Sequence, residues 1–97
     1  MKLAEIHPGE ILSNEFIKPL GITNARLASD LDVPTSRISE IVNGRRPITV
    51  DTAIRLALFF EMESRFWLNL QADYDVRMAE TELLPQIKSR IRPFEWT

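Results

Sequence analysis

The stretch from Thr23 to Gly44 constrains the fold more than any other part of the chain, because it holds two short helical repeats with only about three or four residues between them. Leu27, Ala28 and Leu31 stand at i, i+1 and i+4, Asp32-Val33-Pro34 interrupts them, and Ile38, Ile41 and Val42 resume an inward face before Asn43-Gly44 closes the second repeat. Thr23 is a good N-cap for the first helix, and Gly44 can take the left-handed conformation that ends the second. Ala28 is small enough for the second helix to cross close to the first. Together these positions have the spacing of a helix-turn-helix. Two positions depart from the usual pattern of such turns. Asp32 stands where glycine is common, although Asp tolerates the left-handed region better than most residues. Pro34 replaces the usual Ser or Thr cap, which leaves Thr35 or the turn itself to satisfy the helix start.

Helical periodicity continues on both sides, and strand signals are almost absent. Pro8 suits a first helical turn, and Ile11, Leu12 and Phe16 line one face until Pro19 and Gly21 stop the run, so a first helix is expected over roughly 8 to 18. Pro47 marks a loop. Thr49 caps a fourth helix in which Val50, Ala53, Ile54, Ala57 and Leu58 follow the apolar spacing of one face, with Asp51 well placed against the positive helix end. Ser64 can cap a fifth helix over about 64 to 82, whose stripe of Phe66, Leu70, Tyr74 and Met78 is widened by Trp67, Leu68, Ala72, Val76 and Ala79. A helix apolar on more than one side sits between neighbours or contributes to a subunit interface. The fold expected is all-α, with five helices. Residues 1–82 form the domain, and 83–97 a C-terminal extension in which Ile87 and Ile91 allow a short helix after Pro85.

Composition removes several classes of function. The 97 residues suit one domain, and the absence of cysteine excludes disulfides, thiolate catalysis and Cys-based metal sites. His7 is the sole histidine and precedes a proline, where it more naturally orders the start of helix one than performs chemistry. No metal-ligand set, cofactor motif or nucleophile motif is visible, so an enzyme is not expected. No signal-peptide core and no apolar run of spanning length occur, which points to a cytoplasmic chain without a membrane segment.

The formal charge of −2 argues against a simple basic nucleic-acid binder, but its distribution is uneven. Residues 23–46 sum to +1 and residues 58–82 to −4, which suggests one face for a polyanion and another for something else, such as a basic protein. In the second repeat Thr35, Ser36, Arg37, Ser39 and Glu40 point outward, which is the face a DNA major groove would meet. Asn24, Arg37, Asn43, Arg45 and Arg46 are placed to hold phosphates. Two short helices with a tight turn also occur in bundles that touch no DNA.

Three motifs narrow the choice: His7-Pro8-Gly9-Glu10-Ile11-Leu12, then Ser36 through Arg46, then Phe66-Trp67-Leu68-Asn69-Leu70-Gln71 through Tyr74-Asp75. In this order, over about residues 6 to 79, they closely resemble the HigA/VapI family of addiction-module antidotes, in the XRE group with lambda-repressor-like DNA-binding domains. The resemblance implies a homodimeric autorepressor of a plasmid-maintenance type of module. Such a protein also binds and neutralises a HigB-type, RelE-like mRNA-cleaving toxin. Carried over by position, Thr35, Ser36 and Glu40 match base-reading positions, while Asn24, Arg37, Ser39 and Asn43 match positions nearer the phosphates and Arg45 and Arg46 extend that strip. A dimer would place two recognition helices roughly 34 Å apart on an inverted-repeat operator. Trp67, Leu70 and Tyr74 are the expected interface residues, although Phe66 and Trp67 can equally fill the core. Residues 83–97 lie outside the resemblance, and Phe94 and Trp96 are apolar enough to dock on the domain or on a partner. The alternatives are a stand-alone regulator without a toxin and a helical interaction module that does not bind DNA.

Overall fold

The computed structural model describes residues 6–96, which form five helices and, among the described residues, no strand. They are α1 (residues 8–20), α2 (Asn24–Leu31), α3 (Thr35–Val42), α4 (Val50–Phe60) and α5 (Ser64–Ile87). Among the described residues no helix is long and apolar enough to cross a membrane.

Helix α1 starts at Pro8, with the His7 side chain as its cap: the Gly9 N–H donates to His7 Nδ1 at 2.9 Å. Its middle, Leu12–Ile17, is wound as a π-helix, and the Lys18 N–H reaches Ser13 O. Pro19 has no N–H to donate, and the wider turn before it lets the chain continue to Leu20, past the expected end. Gly21, at φ 65°, then terminates the helix.

The turn between α2 and α3 follows the expected chemistry. Thr23 Oγ1 accepts from Arg26 N at 3.0 Å, Asp32 takes the left-handed conformation at φ 58°, and Pro34 caps α3 without a side-chain bond. The turn itself supplies the acceptor, since Arg37 N donates to Pro34 O at 3.0 Å. Gly44, at φ 75°, follows the Asn43 cap.

Helix α4 buries a different face from the one its apolar spacing suggests. Val50, Ile54 and Leu58 are 59%, 47% and 77% exposed, whereas Thr52, Ala53 and Leu56 are buried and Phe59 and Phe60 half-buried. Two stripes of helical period overlap on this helix, and the one that carries Leu56 and the two aromatic rings turns inward because it removes more apolar area from water.

The core gathers Leu12, Ile17, Leu27, Ala28, Leu31, Ile38, Ile41, Ile48, Ala53, Leu56 and Trp67. Trp67 has no accessible surface and packs 4.9 Å, centroid to centroid, from Phe16. It is therefore a core residue with nothing to offer a subunit interface, because the α1 and α4 aromatics close over it. Gly9 allows α1 to touch α3 directly: a Cβ there would lie 1.8 Å from Ile41 O.

Helix α5 begins with Ser64 as its first residue, the cap position being Glu63, and it does not stop at residue 82. It passes through Pro85 to Ile87, so the expected break and separate short helix are absent. Pro85 lies in the last turn, where its missing donor leaves few later bonds to disturb. Only the first half of α5 packs on the domain. The rest projects, giving extents of 54 × 27 × 22 Å and a radius of gyration of 16.6 Å. A compact chain of this length would have about 12.5 Å.

Candidate nucleic-acid interface

Helix α3 is fixed from beneath by Ile38 and Ile41, both fully buried, and from one side by the Gly9 contact with α1. Its opposite face is open. Thr35 and Ser36 are exposed in the first turn, where no side chain caps the backbone N–H groups, and Ser39 and Glu40 are half-buried one turn on. Asn24 is half-buried at the first turn of α2, while Asn43, Arg45 and Arg46 are exposed at the end of α3.

The charged residues are not all free. Arg37 Nη1 donates to Asp51 Oδ2 at 2.7 Å, and the same oxygen accepts from Arg55 Nε at 3.0 Å. Arg55 Nη1 then donates to Leu31 O at 2.8 Å and to Asp32 O at 3.2 Å. This network ties the start of α4 to both the turn and α3. Hydrogen bonding from Arg55, supported by that from Arg37, holds the Asp51 carboxyl below its usual range. Glu40, expected to read a base, is engaged by Arg46 Nη2 at 3.1 and 3.3 Å. Two residues assigned to DNA thus pair with each other in the free chain. Arg45 is exposed and has no ion-pair partner among the described residues.

Three contributors were not singled out from the sequence. Arg55 locks the turn through carbonyls 24 and 23 residues away, which no local pattern announces. Gly9 sits in a quoted motif, but its contact with Ile41 is tertiary. Gln71 is buried, and its Oε1 accepts from Ile48 N at 2.8 Å while its Nε2 donates to Asp75 Oδ1 at 2.9 Å. It anchors the far end of the loop that carries Arg45 and Arg46. A signal existed in its position four residues after Trp67 on an inward stripe.

Leu70 and Tyr74 are half-buried beside α1, where with Ile6, Pro8 and Ile11 they line an open groove. The Tyr74 ring meets His7 edge-on at 4.9 Å. Burial pushes the His7 imidazole below its usual value of 6.5, Asp75 and Glu10 opposing the shift. Its Nδ1 serves as an acceptor, in keeping with the helix-ordering role expected of it.

The family described as Helix-turn-helix matches residues 15–68. Virulence-associated protein I of Dichelobacter nodosus is 48% identical over 81 residues, covering 84% of this chain and 75% of that protein. A solved addiction module antidote protein of a HigA family, from Coxiella burnetii, aligns with a TM-score of 0.86 at 45% identity, over 92% of this chain and 97% of that one. The Pseudomonas aeruginosa antitoxin HigA, solved with the higBA promoter, aligns with a TM-score of 0.90 at 40% identity, over 93% and 98%.

Proposed function

The chain belongs to the HigA/VapI-type addiction-module antidotes, a branch of the helix-turn-helix family, and from that premise we propose that it is an antitoxin and a DNA-binding repressor of its own operon. The observation that carries the reading is the outer face of α3. Thr35 and Ser36 stand clear on a helix whose other sides are locked, in a chain 40% identical over 93% of its length to an antitoxin solved with its promoter.

In this reading α3 enters the major groove, with Thr35, Ser36 and Glu40 at base edges. Asn24, Arg37, Ser39, Asn43, Arg45 and Arg46 lie along the phosphates. Arg37 and Arg46 exchange their carboxylate partners for phosphate, a cheap exchange because exposed ion pairs contribute only about 0 to 1 kcal/mol. Releasing Arg46 also frees Glu40 to accept from a cytosine amine. A homodimer sets two α3 helices roughly one DNA turn apart, so the operator is an inverted repeat. The protein acts in the cytoplasm, by binding and not by catalysis. Its protein partner is a HigB-like, RelE-like mRNA-cleaving toxin encoded beside it.

The test is a mobility shift on the chain's own upstream DNA at two salt concentrations, with and without the product of the adjacent gene. A saturable, salt-sensitive shift that the neighbour modifies supports both halves. A shift the neighbour never alters leaves a stand-alone regulator, and no shift at all leaves a protein-binding bundle.

A further inference from the structure

Two guanidinium groups share one carboxylate oxygen at the junction of α3 and α4, and they do not share it equally. Asp51 Oδ2 accepts from Arg37 Nη1 at 2.7 Å and from Arg55 Nε at 3.0 Å. Arg55 is held twice more, by Leu31 O at 2.8 Å and Asp32 O at 3.2 Å. Those carbonyls close α2, at the negative end of its dipole, where a cation is favoured. Arg37 has no such anchor: Asp51 is its one ion-pair partner among the described residues. Of the two arginines, Arg37 is the one free to leave.

Asp51 is well fixed as their common acceptor. It stands in the first turn of α4, beside the positive helix end and four residues before Arg55. The Arg55 hydrogen bond, with that of Arg37 behind it, holds its carboxyl below the usual range, so it is anionic at neutral pH. Its side chain is 55% exposed, and the oxygen that holds Arg37 therefore competes openly with any other anion. The pair of Glu40 and Arg46 differs on this point. Among the described residues one arginine alone holds Glu40, and its departure leaves that carboxylate unpaired. Asp51 keeps Arg55 when Arg37 departs.

A carboxylate and a phosphate offer a guanidinium the same recognition, since each presents charged oxygens to the same planar fork of donors. In the free chain Asp51 thus fills the place at Arg37 that a backbone phosphate would take. Were it bare, the vacated carboxylate would repel the incoming phosphate. Arg55 opposes that repulsion, and its bonds to the α2 carbonyls do not depend on Arg37. Selectivity follows from the same competition. Non-specific DNA binding is almost wholly phosphate contact, and an arginine already supplied with a carboxylate adds less to it than a bare one.

We propose that Asp51 is a built-in stand-in for a DNA phosphate at Arg37, acting as a brake on indiscriminate DNA binding, and that Arg55 is the positioning residue that keeps Asp51 neutralised when Arg37 turns to the duplex. This role rests on the reading of α3 as a DNA-binding helix and adds to it two residues of α4.

The test titrates the full chain and its variants against a fluorescent duplex of the chain's own upstream DNA and against an unrelated duplex of equal length, at several salt concentrations. Asp51→Asn should bind the unrelated duplex about two- to fivefold more tightly, the range that an exposed ion pair supplies. In an Arg37→Gln background, which itself lowers the salt slope by about 1, the same change should bring no gain, and this separates the brake from a general loss of negative charge. Arg55→Gln should weaken binding to both duplexes, and adding Asp51→Asn should restore it. Arg55→Lys keeps a cation beside Asp51 and should bind like the parent, which holds the test open if Arg55→Gln proves unfolded in urea titrations. A defect in Arg55→Gln that Asp51→Asn leaves in place, or an equal defect in Arg55→Lys, makes Arg55 a brace for the turn and overturns its assigned role. An affinity for unrelated DNA that Asp51→Asn leaves unchanged or lowers, or a gain that persists without Arg37, overturns the brake while the DNA-binding reading stands. An unmodified chain that binds neither duplex overturns both.

Discussion

Replacing Gly9 with alanine tests how α3 is positioned. The added Cβ would lie 1.8 Å from Ile41 O, 2.6 Å from Ile41 C and 3.0 Å from Val42 Cα, where ordinary contact begins at 3.4 Å. All three atoms are backbone, so no side chain can swing away, and α1 and α3 must part by more than an ångström. Leu12, Ile38 and Ile41, each fully buried, lie along that seam and would lose contact as it opens. Overpacking of this kind costs about 1 to 3 kcal/mol and sometimes more, and a contact between two backbones belongs at the upper end. A loss of about 3 kcal/mol is a large share of the roughly 5 to 15 kcal/mol that a domain possesses, and lowers Tm by roughly 12 to 24 °C. Urea and thermal unfolding followed by far-ultraviolet circular dichroism measure it. Gly21→Ala is the control: its Cβ meets nothing within 4 Å, so only the left-handed backbone penalty of about 1 to 2 kcal/mol applies. If Gly9→Ala proves no more damaging than Gly21→Ala, the close approach does not position α3 and the reasoning fails.

Arg45→Ala should weaken DNA binding across all sequences and lower the salt slope by about 1, whereas Thr35→Ala should shift base preference by about 1 to 3 kcal/mol with little change in slope; binding isotherms at several salt concentrations separate them. Stability should fall as the pH drops below the ordinary histidine value of 6.5, because the folded state lowers the His7 pKa and the unfolded chain takes up the proton first. His7→Asn keeps an acceptor for Gly9 N and should flatten that part of a pH series of unfolding curves. Gln71→Leu leaves the buried Ile48 N–H without its acceptor and should cost about 1 to 3 kcal/mol in chemical denaturation. Leu58→Lys, on the exposed side of α4, should stay within about 0.5 kcal/mol of the parent, and a larger loss would restore the apolar face first read from the sequence.

What was legible in the chain was local. Thr23 and Thr49 as caps, Asp32 and Gly44 in left-handed conformations, and the short turn between two anchored helices all follow from residue type at one position and its near neighbours. Pattern rules failed where a nearby turn or a distant group overrode them. Pro19 and Pro85 read as stops, but a π-wound turn carries α1 past the first and α5 is nearly finished at the second. On α4 two apolar stripes overlap, and only the packed aromatics decide between them. Trp67 reads equally as core or interface until Phe16 and Phe60 close over it. At the candidate nucleic-acid surface Thr35, Ser36, Arg37, Ser39 and Glu40 lie on α3, Asn43, Arg45 and Arg46 just after it and Asn24 at the start of α2, but their pairing does not show in the sequence. Arg37 meets Asp51 across 14 residues, and Glu40 and Arg46 hold one another, both outcomes of how α4 and the loop fold back.

The most direct test of the outer face of α3 as the DNA-reading surface is to map backbone amide NMR shifts on titration with the chain's own upstream DNA. The largest changes are expected at Thr35, Ser36, Glu40, Asn43, Arg45 and Arg46, with Leu58 and the outer half of α5 unmoved. Changes concentrated on α4 or α5, with Thr35 and Ser36 silent, would contradict it.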